Sequence, residues 1–347
     1  MVNVAIITHC TSDKVLNVDP YLDLSTLVSY PKNNSTKNQK NYIRSWNGSL
    51  EKSYEFSKKT NAIDLYKGRM FLKLKKFWEE TGQSKENFYI VSAGLGFLRG
   101  DMNVPSYGLT VSEGSKQSIS DKLGSRFSYL DWWENLKEHS KYSCNNFFET
   151  LKNYDYIFVS LTSSYIPLIV EDLNLFDSRL KLIVGDQKRA LSFGLDDKYL
   201  LPYTEALDGP DSIKNYHNKG LNNMRGPKQD FAQRALLDFL IRLSEKKFFQ
   251  KSSLKDADKI INETIEQIIF DMRTWKLPRK HNNEKFSDKD ILIHIDNSIK
   301  NDFGGEFPSK LKLLRNFRDV KNIACEQSRL SKLYDNYKMK FQNNEKY

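Results

Sequence analysis

Residues 2–14 read VNVAIITHCTSDK: a short apolar run, 2–7, opens into the polar cluster Thr8-His9-Cys10-Thr11-Ser12-Asp13-Lys14. A brief apolar run ending in turn-forming residues is the pattern of a buried strand that leads into a loop. Three further stretches repeat it. Residues 88–93 (FYIVSA) run into a Gly-punctuated segment, 156–161 (YIFVSL) into Thr162-Ser163-Ser164-Tyr165, and 180–184 (LKLIV) into Gly185-Asp186. Helical stretches intervene at 62–80, 128–152 and 164–174. The alternation predicts an α/β fold, a mostly parallel sheet flanked by helices. Ligands bind at the carboxyl ends of strands in open sheets of this kind, so the four small or polar strand ends are where chemistry is expected.

Working outward, 62–80 carries Leu65, Met70, Leu72, Leu74, Phe77 and Trp78 at spacing that suits a helix after a break at Gly68. Residues 18–50 are rich in Asn, Ser, Lys and Tyr without a sustained period and read as an insertion or long loop. Residues 231–243 (FAQRALLDFLIRL) close the α/β domain as an amphipathic helix. The composition then turns polar around 246–256, which places the domain boundary there: 1–245 as the α/β catalytic domain, 256–347 as a small basic helical domain, helix-turn-helix or winged-helix-like. Helices are expected in it over 257–275, 287–299, 308–317 and 323–341. Ser287 and Asp290 form a capping arrangement at the second, although a capping box formally takes Glu or Gln.

The chain has 347 residues, which at roughly 150 per domain suggests two domains. Its 21 Phe, 18 Tyr and five Trp supply enough buried area that the polar surface does not imply disorder. No apolar run approaches the ~18 residues of a membrane span, so no membrane partner is expected. The first residues lack a basic segment and a cleavage site and read as a strand, so the expected location is cytoplasmic. Three widely spaced cysteines and five scattered histidines fit neither a disulfide framework nor a metal site. No metal or cofactor is expected, and the chain is expected to be monomeric. Residues 246–347 hold 22 Lys+Arg and 15 Asp+Glu, +7 of the net +10, leaving +3 for the rest. Such a domain attracts polyanions by counterion release, although a solvated Lys-rich surface explains the same balance.

Three segments carry candidate chemistry. In 94–107, GLGFLRGDMNVPSY, the residues Gly94, Gly96 and Gly100 let the backbone approach a ligand or take positive φ, and Pro105 stiffens the exit. Asp101 and Tyr107 then read as lying on a preorganised strand-end loop. The alternative is a tight connection in which Asp101 caps a turn. Neither a dinucleotide nor a P-loop glycine pattern is present. In 219–234, KGLNNMRGPKQDFAQR, the residues Asn222, Asn223, Arg225 and Lys228 precede a helix on a loop suited to phosphate or base, with His217 adjoining. In 309–330, Lys310, Lys312, Arg315, Arg318 and Lys321 recur at two- and three-residue steps beside Leu311, Leu313, Leu314 and Phe317. A DNA-gripping helix and a basic helix docked on the first domain both fit.

Tyr66-Lys67-Gly68, the loop 10–14 and SAGLGFLRGDMNVPSYGLT at 92–110 together resemble the YaaA family of intracellular peroxide-stress proteins and its shorter relatives. The shared pattern is a small-residue strand end, Gly-hydrophobe-Leu, an acidic residue, then Pro and Tyr before Leu. The resemblance spans about residues 3–110. It implies an α/β fold of the uracil-DNA-glycosylase class with a positively charged cleft for nucleic acid, and some relatives look like antiphage glycosylases that remove hypermodified bases.

The expectation is therefore a DNA glycosylase-like hydrolase that excises a modified or damaged base, flipped out of double-stranded DNA, in antiphage defence or repair. Cleaving an N-glycosidic bond passes through an oxocarbenium-like transition state that a carboxylate stabilises. Asp101 is the first candidate, with Asp13 and Asp186 in reserve. Thr8, Cys10, Ser12, Lys14, Gly94, Gly96, Phe97, Tyr107 and Asn222 are the expected substrate-binding residues: the first loop bonds a base edge or phosphate, and Tyr107 or Phe97 stacks on the extruded base. Against this, Cys10 reads equally as a small buried hydrophobe, Ser12 and Asp13 as helix caps, and Tyr107 as core. A deoxyribosyltransferase-like nucleoside enzyme and a non-catalytic DNA-binding stress protein are the alternatives.

Overall fold

The computed structural model describes residues 1–27, 39–177, 179–218, 226–278, 286–321, 323 and 325–344, and the chain divides into two compact units, Met1–Leu277 and Pro278–Tyr347. The first unit is built on β1 (Val4–His9), β2 (Lys59–Asn61), β3 (Phe88–Ser92), β4 (Gly96–Arg99), β5 (Asn103–Pro105), β6 (Tyr156–Leu161) and β7 (Leu180–Val184). Five of them form one sheet in the order β4-β3-β1-β6-β7, while β2 and β5 pair separately as an antiparallel ribbon. β3, β1, β6 and β7 run parallel, and β4 is antiparallel to β3. The α/β expectation with a mostly parallel sheet is met. β1, β3 and β6 are buried along their whole length, which is why they read as continuous apolar runs. The connection after β1 leads to β3 on one side and that after β6 leads to β7 on the other. The strand order thus reverses between β1 and β6, and in open sheets of this kind the carboxyl ends of the strands at such a reversal are where ligands bind.

Residues 94–107 are not one strand-end loop. The chain turns over 93–95 into β4, pairing Ser92 with Gly96 and Tyr89 with Arg99, and so runs back down to the amino end of β3. Gly96 takes φ +94°, which the turn requires and a side chain resists. The hairpin forms because Phe97 and Leu98 have a core to enter: the Phe97 ring stacks on Tyr89 at 5.0 Å and meets Phe147 at 4.4 Å. Two indoles hold the turn, Trp46 Nε1 donating to the Gly94 carbonyl at 2.7 Å and Trp132 Nε1 to that of Ala93 at 2.8 Å.

Trp46 belongs to a helix, Gln39–Phe56, that begins inside the stretch 18–50 that reads as a loop and runs six residues past it; 28–38 lie outside the described residues. Only Gln39, Trp46, Leu50 and Ser53 of this helix are buried, so its apolar stripe is two residues wide in an otherwise polar segment. The expected helix 128–152 is interrupted between Tyr129–His139 and Phe147–Leu151. The interruption serves the hairpin: Ser140 Oγ donates to the Leu95 carbonyl at 2.8 Å, and Ser143 Oγ accepts from Phe97 N at 3.0 Å.

The first unit extends past residue 245 to Leu277. Its last helix, Leu254–Thr274, buries Ala257, Ile260, Ile261, Ile268 and Met272 in the same core as the sheet. The preceding stretch is polar on balance yet holds Phe248 and Phe249, both buried, with Phe248 against Tyr156 at 5.5 Å. Arg242 donates from Nε to Asp238 at 2.9 Å and from Nη1 to Asp271 at 2.6 Å, and Tyr156 Oη donates to Asp258 at 2.7 Å. These bonds make the helix part of the α/β unit. With the boundary at 277, residues 278–347 hold 15 Lys+Arg and 10 Asp+Glu, so the net +10 divides into +5 and +5.

In the second unit, helices Asp288–Asn301, Lys310–Arg315 and Gln327–Asn344 gather around Ile291, Ile295, Leu313, Phe317 and Leu330. The Ser287–Asp290 box closes with an aspartate: Ser287 N donates to Asp290 Oδ2 at 3.0 Å and Asp290 N to Ser287 Oγ at 3.2 Å. Among the described residues no helix is long and apolar enough to cross a membrane.

Candidate functional site

Five segments meet at the carboxyl ends of β1, β3 and β6. β1 delivers Cys10, whose Sγ lies 3.1 Å from Tyr165 Oη, just before the helix Ile166–Leu173. β3 ends at Ser92, whose Oγ donates to Tyr107 Oη at 2.7 Å, and Tyr107 Oη lies 3.2 Å from Tyr66 Oη. Lys14 Nζ sits 4.4 Å from the centre of the Tyr107 ring and 5.9 Å from that of Tyr66. The loop after β1 is laid against 65–67 by backbone bonds, Val15 N to the Leu65 carbonyl at 2.8 Å and Lys67 N to the Asp13 carbonyl at 3.1 Å. Gly68 permits this approach, since a Cβ there would meet Thr11 Cγ2 at 2.6 Å. Beneath the loop, Thr8 Oγ1 accepts from Ser160 Oγ and from Gln233 Nε2, each at 3.0 Å.

Burial sets the protonation of these groups. It lowers Lys14 below the ordinary lysine range, against the opposing pull of Cys10 and Asp13. It raises Tyr66, Tyr107 and Tyr165, so all three phenols keep their protons. It brings His9 down to about 4, leaving that ring neutral with Nδ1 3.4 Å from the Ser160 carbonyl oxygen. Nearby, Asp230 is held by Arg69 at 2.8 Å and Arg234 at 2.6 Å. A thiol, three buried phenols and an ammonium are thus gathered at the carboxyl ends of these strands, a set of donors suited to meeting negative charge that develops on a ligand.

Of the residues singled out from the sequence, Thr8, Cys10, Lys14, Gly94 and Tyr107 are brought together. Gly94 belongs because a Cβ there would meet Tyr107 Cδ2 at 2.7 Å. Ser12 is exposed and reaches the cluster through its carbonyl, which accepts from Lys14 Nζ at 3.2 Å. Phe97 and Gly96 stand apart: Phe97 is core, and the space beside Gly96 is filled by Ser143.

Asp101 requires a correction. Because β4 runs back along β3, Asp101 lies at the opposite edge of the sheet from Cys10 and Tyr107, bound by Arg99 through Nε to Oδ1 at 2.6 Å and Nη2 to Oδ2 at 3.0 Å. Asp186 caps the helix Gln187–Ser192 by accepting from Arg189 N at 3.0 Å. Asp13 is exposed on the first loop, next to Lys14.

Asn222, Asn223 and Arg225 lie outside the described residues. Lys228 is 95% exposed and 3.9 Å from Glu205. In the second unit, Lys310 pairs with Asp335 at 2.6 Å and Lys321 with Asp302 at 2.8 Å. Lys312 lies over the Phe303 ring at 5.3 Å, Arg318 donates to the Cys325 carbonyl at 3.5 Å, and Arg315 is exposed. Sequence reasoning gave no role to Ser92, Tyr165 or Gln233. The hydroxyl-rich ends of β3 and β6 were the available signal for the first two, whereas Gln233 sits more than 220 residues from its partner Thr8.

Comparisons with models of known protein families, with curated proteins and with solved structures give no match. What the chain does is read from the site itself.

Proposed function

We propose that the chain cleaves an N-glycosidic bond, releasing a base from a DNA nucleotide flipped into the carboxyl-edge crevice. The observation that carries this reading is Lys14, with its lowered proton affinity, over the hydrogen-bonded Tyr66–Tyr107 pair and beside Cys10 and Tyr165. When the bond between C1′ and the base nitrogen breaks, the electron pair goes to the base, and groups that donate hydrogen bonds lower the barrier by meeting that charge. Lys14 in its ammonium form is a stronger acid than an ordinary lysine and donates the proton the base takes away; water adds to C1′ and gives up a proton that restores the ammonium. Asp13, adjacent in the chain, supplies the carboxylate facing the oxocarbenium charge, the part expected of Asp101. The resemblance of about residues 3–110 to the YaaA family, with the uracil-DNA-glycosylase-class fold it implies, supports the same reading, with removal of modified bases in antiphage defence as its setting and the basic helices of 278–347 as the grip on duplex DNA.

A second reading, a nucleoside enzyme, draws support from Lys310 and Lys321, whose ion pairs with Asp335 and Asp302 occupy charge that a DNA grip would use. Incubating the protein with duplexes carrying different modified bases and probing for alkali-sensitive strands tests the first reading. Release of base from free nucleosides with intact duplexes identifies the second.

A further inference from the structure

A cavity of about 500 Å³ lies beside this site, lined by residues 15–21, Phe56, Ser57, Lys58 and Ser106. Its size falls in the range of small-ligand sites. Two features set it apart from a surface crease. Ser57 and Ser106 both line it, and the hydroxyls of both are buried without a hydrogen-bond partner, a state that is unfavourable unless something supplies one. Its rim also keeps apolar surface in water: Phe56 is 71% exposed, Val15 60% and Tyr21 41%. The two charged residues, Asp19 and Lys58, are of opposite sign, so the lining selects neither an anion nor a cation.

We propose that this cavity binds a nucleobase, an uncharged flat heterocycle that stacks on Phe56 and Tyr21 and offers its polar edge to Ser57 and Ser106 after a staggered turn of their side chains. Val15 follows Lys14 in the chain and Ser106 precedes Tyr107, so the occupant adjoins the base held at the crevice: it is the neighbouring base of the same strand. The choice of a nucleobase among flat heterocycles rests on the N-glycosidic reading; the cavity, its two hydroxyls and its aromatic rim do not.

Titrating the full chain with adenosine and, separately, thymidine, followed by calorimetry or ligand-observed NMR, tests the proposal. Adenosine is expected to bind, and Phe56→Ala to weaken it by roughly ten-fold, as loss of one stacking partner does. Ser106→Ala is expected to weaken it as well while raising the melting temperature of the ligand-free protein, since it removes a hydroxyl that has no partner. Absence of binding by both nucleosides, or equal binding by wild type and both variants, overturns the proposal. Adenosine binding with this variant pattern in a protein that releases no base from DNA keeps the site and discards the N-glycosidic reading. Base release from DNA without nucleoside binding does the reverse.

Discussion

Gly94 and Tyr107 are packed so closely that a Cβ on Gly94 would stand 2.7 Å from the Tyr107 ring, with Trp46 Cζ2 at 3.0 Å. The ring is held by Ser92 and Tyr66 and the indole by the Gly94 carbonyl, so neither neighbour yields freely. Gly94→Ala is therefore expected to lower stability by about 1–3 kcal/mol, the usual range for overpacking, and to displace the phenol from beneath Lys14. Urea unfolding measures the first effect and base release the second. A variant as stable and as active as wild type shows that Tyr107 does not need its present position.

The division of the chain makes a sharp prediction about truncation. Ending the protein after Glu245 strips Phe248, Ile260, Ile261, Ile268 and Met272 from the core and leaves Asp238, which is fully buried, beside an Arg242 that has lost Asp271. Breaking a buried charge network in this way costs several kcal/mol, so the 1–245 fragment is expected to be unfolded or aggregated. The 1–277 fragment is expected to unfold cooperatively by circular dichroism. If residues 278–347 grip the duplex, the same fragment binds DNA orders of magnitude more weakly at moderate salt, and equal affinity rejects the grip.

His9 gives stability a defined pH dependence. In the unfolded chain it titrates near 6.5, in the folded protein at about 4. Above pH 6.5 both states carry the neutral ring and its contribution is complete. As pH falls from 6.5 to 4 the unfolded chain takes up a proton that the folded protein refuses, and stability drops by about 3 kcal/mol in total. Unfolding free energies at pH 7.5 and 4.5 are expected to differ more in wild type than in His9→Gln. The same pH dependence in both proteins shows that the ring is not held neutral.

The parallel strands were legible because burial on both faces writes itself as unbroken apolar runs: YIFVSL and LKLIV occupy β6 and β7 with the bounds the sequence suggests. The start of the loop after β1 was legible only roughly: the apolar run ends at Ile7, but the strand continues through Thr8 and His9, whose polar side chains are buried in the sheet, and the loop beyond brings Cys10 and Lys14 to the site. Asp101 was misplaced because Gly94, Gly96 and Gly100 suit a ligand loop and a tight hairpin equally; the decision rests with Phe97 packing between Tyr89 and Phe147, a contact with residue 147 that no local pattern encodes. The helix Gln39–Phe56 was hidden by its polarity, because Trp46 and Leu50 alone carry its buried face apart from Gln39 and Ser53. The boundary was misread because Lys246-Lys247 and Ser252-Ser253 outweigh Phe248 and Phe249 in a composition count, although it is the two phenylalanines that reach the core.

The central claim, that the chemistry resides at the carboxyl edge around Lys14 and not at Asp101, is tested most directly by single-turnover base release from a duplex substrate with Lys14→Met and Asp101→Asn compared side by side. Removing Lys14, the proposed general acid, is expected to slow release by about 100-fold or more, while Asp101→Asn, which alters only an ion pair with Arg99 at the far edge of the sheet, is expected to leave the rate near that of wild type. A silent Lys14→Met together with an inactive Asp101→Asn contradicts the account.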